Sequence, residues 1–389
     1  MDRKFKVLNI CSWYPNEFKP TLGNFVQKHA EAISLFNEVV TLSIFPDETS
    51  NEHRVVLNSR NQLEEVIIYY PKKTTGFPLN KFLNFMAHRK AFKLGFNIVK
   101  EKIGFPEIVH LNIVYPLGIW AYWLKKRFRI PYVVTENSSG FHVQSDHAYP
   151  KPIMKLCQLV LRNAAYLLPV SKNLKENLKQ LSPSSQFEII SNVVDENLFL
   201  LKVKQNEEVK RLIHISTGVD EIKNLSGILR VMNELKNNQV NVTLDIVSDG
   251  DIEYAKLLAS ELNLMNYVNF HSTKTTSEVA EMIQNADALL MFSNYENFPC
   301  VIAEAMMCGK PVISSNVNGI PEHVHHFNGM LVNPRDEKAL ESAIVSFVRN
   351  EVNFNSEEIR EYAMDNFSYS EVGRKFTEIY TKVLGSIKG

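Results

Sequence analysis

Short, continuous apolar runs alternate along the chain with stretches in which apolar residues return every three or four positions. The runs fall at 5–12, 38–44, 64–70, 107–113, 131–136 and 165–171, and again at 211–217, 242–250, 267–273, 287–293 and 310–315. Such runs, continuous rather than alternating, predict strands covered on both faces, as in a parallel sheet flanked by helices. The helical spacing predicts helices at 24–36, 82–101, 118–128, 225–236, 251–263, 276–285 and 300–308. Such alternation predicts two βαβ domains. The pattern breaks in ISNVVDENLFLLKVKQNEEV, residues 190–209, which turns polar after Leu201. The expected domains are 1–195 and 196–369, with an amphipathic helix at about 370–389 packing back onto the first.

Composition narrows the class. Hydrophobic residues make up 45 % of 389 residues, enough for two cores. The cysteines, Cys11, Cys157, Cys300 and Cys308, form no C-x-x-C, which speaks against a disulfide framework or structural zinc and for a reducing, cytoplasmic setting. MDRKFKVLNICSWYP reads as a first strand, and no apolar stretch reaches membrane-spanning length. The formal net charge is +0, but residues 1–200 carry 25 Lys+Arg against 17 Asp+Glu and residues 201–389 carry 18 against 26. The basic half either faces phosphate, acidic glycan or anionic lipid, or complements the acidic half. Residues 72–102 concentrate this charge, with eight basic residues and one acidic. Phe82, Phe85, Phe92, Phe96, Val99 and Ile103 recur there at helical steps, a face suited to core packing or to a membrane surface. No recognised nucleic-acid motif accompanies the charge. His323, His325 and His326 match no metal-binding spacing, and no metal is expected.

Candidate chemistry gathers at the predicted strand ends, where open α/β sheets bind ligands. Glu296 follows one strand, and Asn297, Phe298, Pro299 and Cys300 lead into a helix whose positive end suits a phosphate or sugar hydroxyl. Glu304, on that helix, suits the vicinal hydroxyls of a ribose. Gly218 and Lys223 occupy another strand–helix loop, where an ammonium can meet a diphosphate. Gly250, in the turn after LDIVS, opens space for a base or ribose, and Gly319 and Glu322 follow a further strand. In the first half, Gly23 and Asn24 start a helix after an irregular loop. Neither G-x-G-x-x-G after the first strand nor G-x-x-x-x-G-K-[ST] is present.

The run ENFPCVIAEAMMCGKPVI, with its E-x7-E spacing, is the most specific of these signals. With SNVVDENLF at 191–199, DEIKN and IVSDGD, it resembles glycosyltransferase family 4, retaining enzymes of the GT-B fold, over nearly the whole chain. The resemblance implies two Rossmann-like α/β domains facing each other across a cleft, with the donor on the second and the acceptor on the first. It implies a hexose or N-acetylhexosamine moved from a nucleotide-diphosphate sugar to a glycan or lipid-linked acceptor, with no further cofactor. Glu304 would hold the ribose and Glu296 would approach the donor sugar. Backbone N–H groups of Phe298, Pro299 and Cys300 would contact sugar and diphosphate. Lys223 would neutralise the departing diphosphate, Gly23 would bring the first-domain loop close to it, and Asn192 and Asp195 would mark the passage between domains. Two positions depart from the family pattern. STGVDEIK lacks an arginine before Lys223, and Asn137 stands in VVTENSSGF where many relatives have histidine. Asparagine donates a hydrogen bond but takes no proton near neutral pH. A nucleotide-sugar epimerase of the same fold and a non-catalytic binding subunit are the alternatives.

Overall fold

The structure, a computed structural model, describes residues 3–73, 78–141, 149–202 and 208–388. They form two compact units, Met1–Val193 with Tyr369–Gly389, and Val194–Ser368. In the first unit the elements run β1 (Lys6–Cys11), α1 (Asn24–Ser34), β2 (Glu38–Asp47), β3 (Arg54–Arg60), β4 (Leu63–Pro71), α2 (Pro78–Ile103), β5 (Ile108–Asn112), α3 (Gly118–Phe128), β6 (Tyr132–Glu136), α4 (Lys151–Asn163), β7 (Tyr166–Pro169), α5 (Lys172–Leu181) and β8 (Gln186–Phe187). They build one sheet of order β3-β4-β2-β1-β5-β6-β7-β8, parallel except for the β3–β4 hairpin. The second unit runs β9 (Lys210–Ser216), α6 (Asp220–Lys223), α7 (Leu225–Asn237), β10 (Val242–Ser248), α8 (Glu253–Glu261), β11 (Val268–His271), α9 (Thr276–Asn285), β12 (Ala288–Met291), α10 (Cys300–Met307), β13 (Val312–Ser315), β14 (Gly329–Val332), α11 (Glu337–Val348) and α12 (Ser356–Phe367). Its sheet, β11-β10-β9-β12-β13-β14, is parallel throughout. The last helix, α13 (Tyr369–Lys388), belongs to the first unit and lies along α1.

The central strands of each sheet are buried on both faces, which is why most of them read as continuous apolar runs. Leu8, Ile10, Val40, Leu42, Val66 and Val109 enter one core of the first sheet, under α2, α3 and α4. Val7, Val39, Ile108 and Val133 enter the other, under α1 and α13. In both sheets the strand order reverses beside the first strand, between β1 and β5 and between β9 and β12. Loops diverge there to opposite faces and leave a crevice beyond the strand ends.

The helix α2 divides the phenylalanine stripe expected to share one face. Phe92, Phe96 and Val99 are buried, and Phe92 stacks on Trp120 with centroids 4.4 Å apart. In the first turns Phe82 and Phe85 are instead 60 % and 54 % exposed, beside exposed Leu79, Leu83 and Met86. The helical period holds along all 26 residues, but only the later turns lie over the sheet.

Under α13 sit two buried histidines. His110 Nδ1 is 2.6 Å from the Tyr380 hydroxyl and its Nε2 2.7 Å from Thr135 Oγ1. His29 Nε2 lies 3.2 Å from the Ser191 carbonyl, and both rings meet Phe376 edge-on. Burial lowers the pKa of His29 to about 4 and of His110 to about 3. Both stay neutral in the folded chain and protonate on unfolding. Their contribution is full above the free histidine value of about 6.5 and is lost as pH falls through about 4. Urea midpoints should therefore drop between pH 7 and pH 4.5, and drop less in His110→Gln; an equal drop in that variant would contradict the assignment.

Candidate active site

The polar centre of the second unit is assembled at its switch point. The chain leaves β9 at Ser216 and turns through Gly218 into the single turn of α6. Asp220 clamps that turn to α7, accepting from the Ser226 N–H at 2.9 Å and the Ser226 hydroxyl at 2.7 Å. Asn224, with φ of 51°, then caps α7 by accepting from the Gly227 N–H at 3.2 Å. Lys223, at the end of α6, directs its ammonium to Glu296, beyond β12, with Nζ 2.5 Å from Oε1. Only 14 % of the lysine side chain and 9 % of the glutamate side chain is exposed.

Glu296 is held from three strand ends. Ser293, just beyond β12, donates its hydroxyl to Oε1 at 2.9 Å. The Glu296 N–H donates to Asn318 Oδ1, beyond β13, at 3.3 Å. Asn294 closes the set: its N–H donates to the Ile222 carbonyl at 2.7 Å and its amide to the Glu221 carbonyl at 3.0 Å. Arg335, beyond β14, donates from Nε to Asn294 Oδ1 at 3.1 Å, so a second cation adjoins these loops. The arrangement presents a nearly desolvated ammonium beside a carboxylate. Negative charge developing near that ammonium would be stabilised with little reorganisation.

The remaining candidates of this unit serve in different ways. The Phe298 ring is buried, 4.4 Å from His323 and 5.5 Å from Phe367 between centroids, so the ring serves packing and polar contacts fall to its backbone. Pro299 is the N-cap of α10 and has neither an N–H nor a capping oxygen. Of the three consecutive residues read as N–H donors, Phe298 and Cys300 alone carry one. Cys300 opens α10, whose positive end favours a negative group. Glu304 is half-buried on the same helix. Gly250 has a packing cause: a Cβ there would stand 2.1 Å from the Thr217 carbonyl oxygen.

In the first unit, Gly23 precedes α1 with φ of 69°, and a Cβ would stand 2.7 Å from the Trp13 carbonyl carbon. The irregular loop therefore folds directly over its own helix start. Asn137 follows β6, and its amide donates to Asn192 Oδ1 at 3.2 Å. Its neighbour Glu136 is fully buried. That carboxylate accepts from the N–H groups of Val114 at 3.0 Å, Asn137 at 3.0 Å and Ser138 at 2.8 Å. Burial raises its pKa against these three bonds. Glu136 thus ties the loop beyond β5 to the loop carrying Asn137. Ser293, Asn294, Asn318 and Arg335 were not singled out from sequence; a strand-end position was the one signal they shared.

Among the described residues no group of three or more His, Cys, Asp or Glu side chains is placed to hold a metal ion. No described helix is long and apolar enough to cross a membrane.

Two family models match adjoining parts of the chain. "Glycosyltransferase Family 4" matches residues 46–198 and "Glycosyl transferases group 1" matches residues 199–365. The fold is GT-B, and the chain belongs to glycosyltransferase family 4. It is 25 % identical over 294 residues to the N-acetyl-alpha-D-glucosaminyl L-malate synthase of Bacillus anthracis, covering 72 % of this chain and 75 % of that one. It is 23 % identical to the putative teichuronic acid biosynthesis glycosyltransferase TuaC of Bacillus subtilis, covering 89 % and 90 %. Among solved structures, Anabaena Alr3699/HepE in complex with UDP superposes with a TM-score of 0.73 at 15 % identity, covering 97 % of this chain and all (100 %) of that one.

The Lys223–Glu296 pair yields a stability test. Lys223→Met leaves a nearly buried carboxylate without its cation and should cost roughly 1–3 kcal/mol. Lys223→Met with Glu296→Gln should cost less than the sum of the two single changes. Urea unfolding of the four proteins reads the coupling; additivity within about 0.5 kcal/mol would mean that the two side chains do not interact.

Proposed function

We propose that the protein is a retaining hexosyltransferase. It moves a hexose or N-acetylhexosamine from a nucleotide-diphosphate sugar to a glycan or lipid-linked acceptor in surface polysaccharide synthesis. The observation that carries this reading is the Lys223–Glu296 pair beside the start of the helix bearing Glu304, at the switch point of the second sheet. On this reading Glu304 accepts from the ribose hydroxyls. The Phe298 and Cys300 N–H groups and the start of α10 face the sugar and diphosphate. Lys223 exchanges Glu296 for the diphosphate and stabilises its charge as the anomeric bond loosens. Glu296, released, orients sugar hydroxyls. Asn137 is the hydrogen-bonding group of the acceptor side, where it donates without moving a proton. The UDP in the Anabaena neighbour and the teichuronic acid role in the name of the Bacillus subtilis relative support donor class and setting. An epimerase would release altered donor without any acceptor, and a binding subunit would turn over nothing.

A donor panel with product analysis separates these readings. UDP- and GDP-sugars are screened for thermal stabilisation, and the product anomer is read by NMR. Transfer with retained configuration is expected. Glu304→Gln should weaken donor binding by roughly 1–3 kcal/mol, the usual effect of losing a charged hydrogen-bond partner. Unchanged calorimetric affinity in a folded variant would remove Glu304 from the ribose.

The protein also docks peripherally on the inner face of a membrane, in this proposal, through the first turns of α2. Leu79, Phe82, Leu83, Phe85 and Met86 are exposed there, with exposed Lys81, Arg89, Lys90 and Lys93 around them. Apolar side chains amid cations suit the boundary of an anionic bilayer. The wild type should float with anionic vesicles at low salt and release as salt rises. Changing the four basic residues to Gln should weaken binding by up to about 1 kcal/mol per charge. A wild-type protein that stays in solution at low salt would exclude direct docking.

A further inference from the structure

Beyond the ends of β1, β2 and β5, at the switch point of the first sheet, lies a cavity of about 560 Å³. That is an ordinary size for a small-molecule site. Its walls are mainly apolar: Trp13, Phe18, Leu22, Phe45, Tyr115 and Tyr149. Phe18 stands half exposed (50 %) over Tyr69, a large aromatic surface facing water at the rim.

Ser12, Asn16, Glu48 and Thr49 of the lining are engaged within the protein. Ser12 Oγ accepts from the Leu117 N–H at 3.0 Å. Asn16 donates to the Tyr14 carbonyl at 3.0 Å and accepts from the Phe18 and Lys19 N–H groups, each at 3.1 Å. The Thr49 hydroxyl donates to Asp47 at 2.6 Å, and Glu48 pairs with Lys72 at 2.8 Å. A sugar ring seated here would set hydroxyls against these four residues, already spent on the loops, and against a mainly aromatic wall, an unfavourable exchange. A hydrocarbon chain has no such need. Lys19, exposed on the lining, pairs with no carboxylate among the described residues, which leaves a cation at the rim.

The rim also connects to the exposed turns of α2. Next to the Glu48–Lys72 pair, the Lys73 N–H donates to Asn84 Oδ1 at 2.8 Å and the Asn84 amide donates back to the Lys73 carbonyl at 2.9 Å. Asn84 lies between exposed Leu83 and Phe85. Polar contacts through Lys72, Lys73 and Asn84 thus run from Glu48 of the cavity lining to the exposed turns of α2.

We propose that this cavity seats the proximal part of the hydrocarbon chain of an anionic lipid acceptor, with the acceptor's phosphate beside Lys19. The inference rests on the lipid-linked acceptor reading above and narrows it: the enzyme holds its acceptor by the chain as well as by the group that receives the sugar.

Binding of farnesyl phosphate to the full chain, by calorimetry and tryptophan fluorescence, tests this. Farnesol, inorganic phosphate and a hexose phosphate serve as separate arms. Farnesyl phosphate should bind, farnesol about tenfold more weakly, and inorganic phosphate and hexose phosphate not at the same concentrations. Phe18→Asp should weaken farnesyl phosphate about tenfold or more. Lys19→Gln should abolish the preference over farnesol. Both sites are exposed, and unchanged melting curves confirm folding. Preferential binding of the hexose phosphate overturns the proposal. So does farnesyl phosphate binding that neither variant alters, because that marks non-specific uptake. Donor turnover by the same samples distinguishes the failures: intact sugar transfer with an empty cavity sinks the chain site alone, whereas no donor binding at all sinks the transferase reading on which it rests.

Discussion

A lysine and a glutamate 73 residues apart in the chain meet at 2.5 Å with little water around either. Placing both charges there is costly unless each meets its partner and further hydrogen bonds. The loops of the second unit are arranged to supply those bonds. Asp220 clamps the turn that carries Lys223, Ser293 and Asn318 hold Glu296, and Asn294 fastens the β12 loop to α6. Parallel pairing makes this possible, because it sends every strand's carboxyl end to one edge of the sheet, and strand order places β9 and β12 side by side.

The first unit solves a related problem with different chemistry. Its strand-end loops are fastened by a buried carboxylate, Glu136, bonded to three N–H groups. Its opposite core is closed by α13, whose Phe376 and Tyr380 cover two neutral histidines. The Tyr369 hydroxyl donates to Glu31 at 2.6 Å, and Asn37 donates to Thr377 at 2.8 Å, so polar bonds fix the helix along α1. The crevice beyond β1 and β5 is lined by aromatic groups, whereas the crevice beyond β9 and β12 holds an ion pair. Two similar sheets thus present one apolar and one charged strand-end surface.

Much of this was legible in the residues because burial on both faces leaves a simple mark. Strand β12, ALLM, is apolar throughout and β1 nearly so, and the E-x7-E run placed Glu296 and Glu304 around the start of α10. The edge strand β3, RVVLNSR, was not found: it is largely exposed and keeps no apolar run. Strand β14, whose middle pair Met330 and Leu331 is only half-buried, also went unread. The helices α4, α5, α11 and α12 also went unread. Contact between Lys223 and Glu296 was invisible to spacing, since it depends on which strands become neighbours. In α2, periodicity identified a face but not where the sheet beneath it ends, so buried Phe92 and exposed Phe82 read alike. Ser293 and Asn318 are ordinary polar residues whose importance comes only from the carboxylate they hold.

On the proposed reading the Lys223 ammonium leaves Glu296 to stabilise a departing diphosphate. Steady-state turnover of Lys223→Ala at saturating donor and acceptor measures it most directly, with urea unfolding as the control. An interaction that strengthens as charge develops should reveal itself in kcat, with a fall of about 10²-fold or more in a protein that remains folded at the assay temperature. Wild-type kcat in that variant would remove Lys223 from the chemical step and reduce the pair to a structural bond.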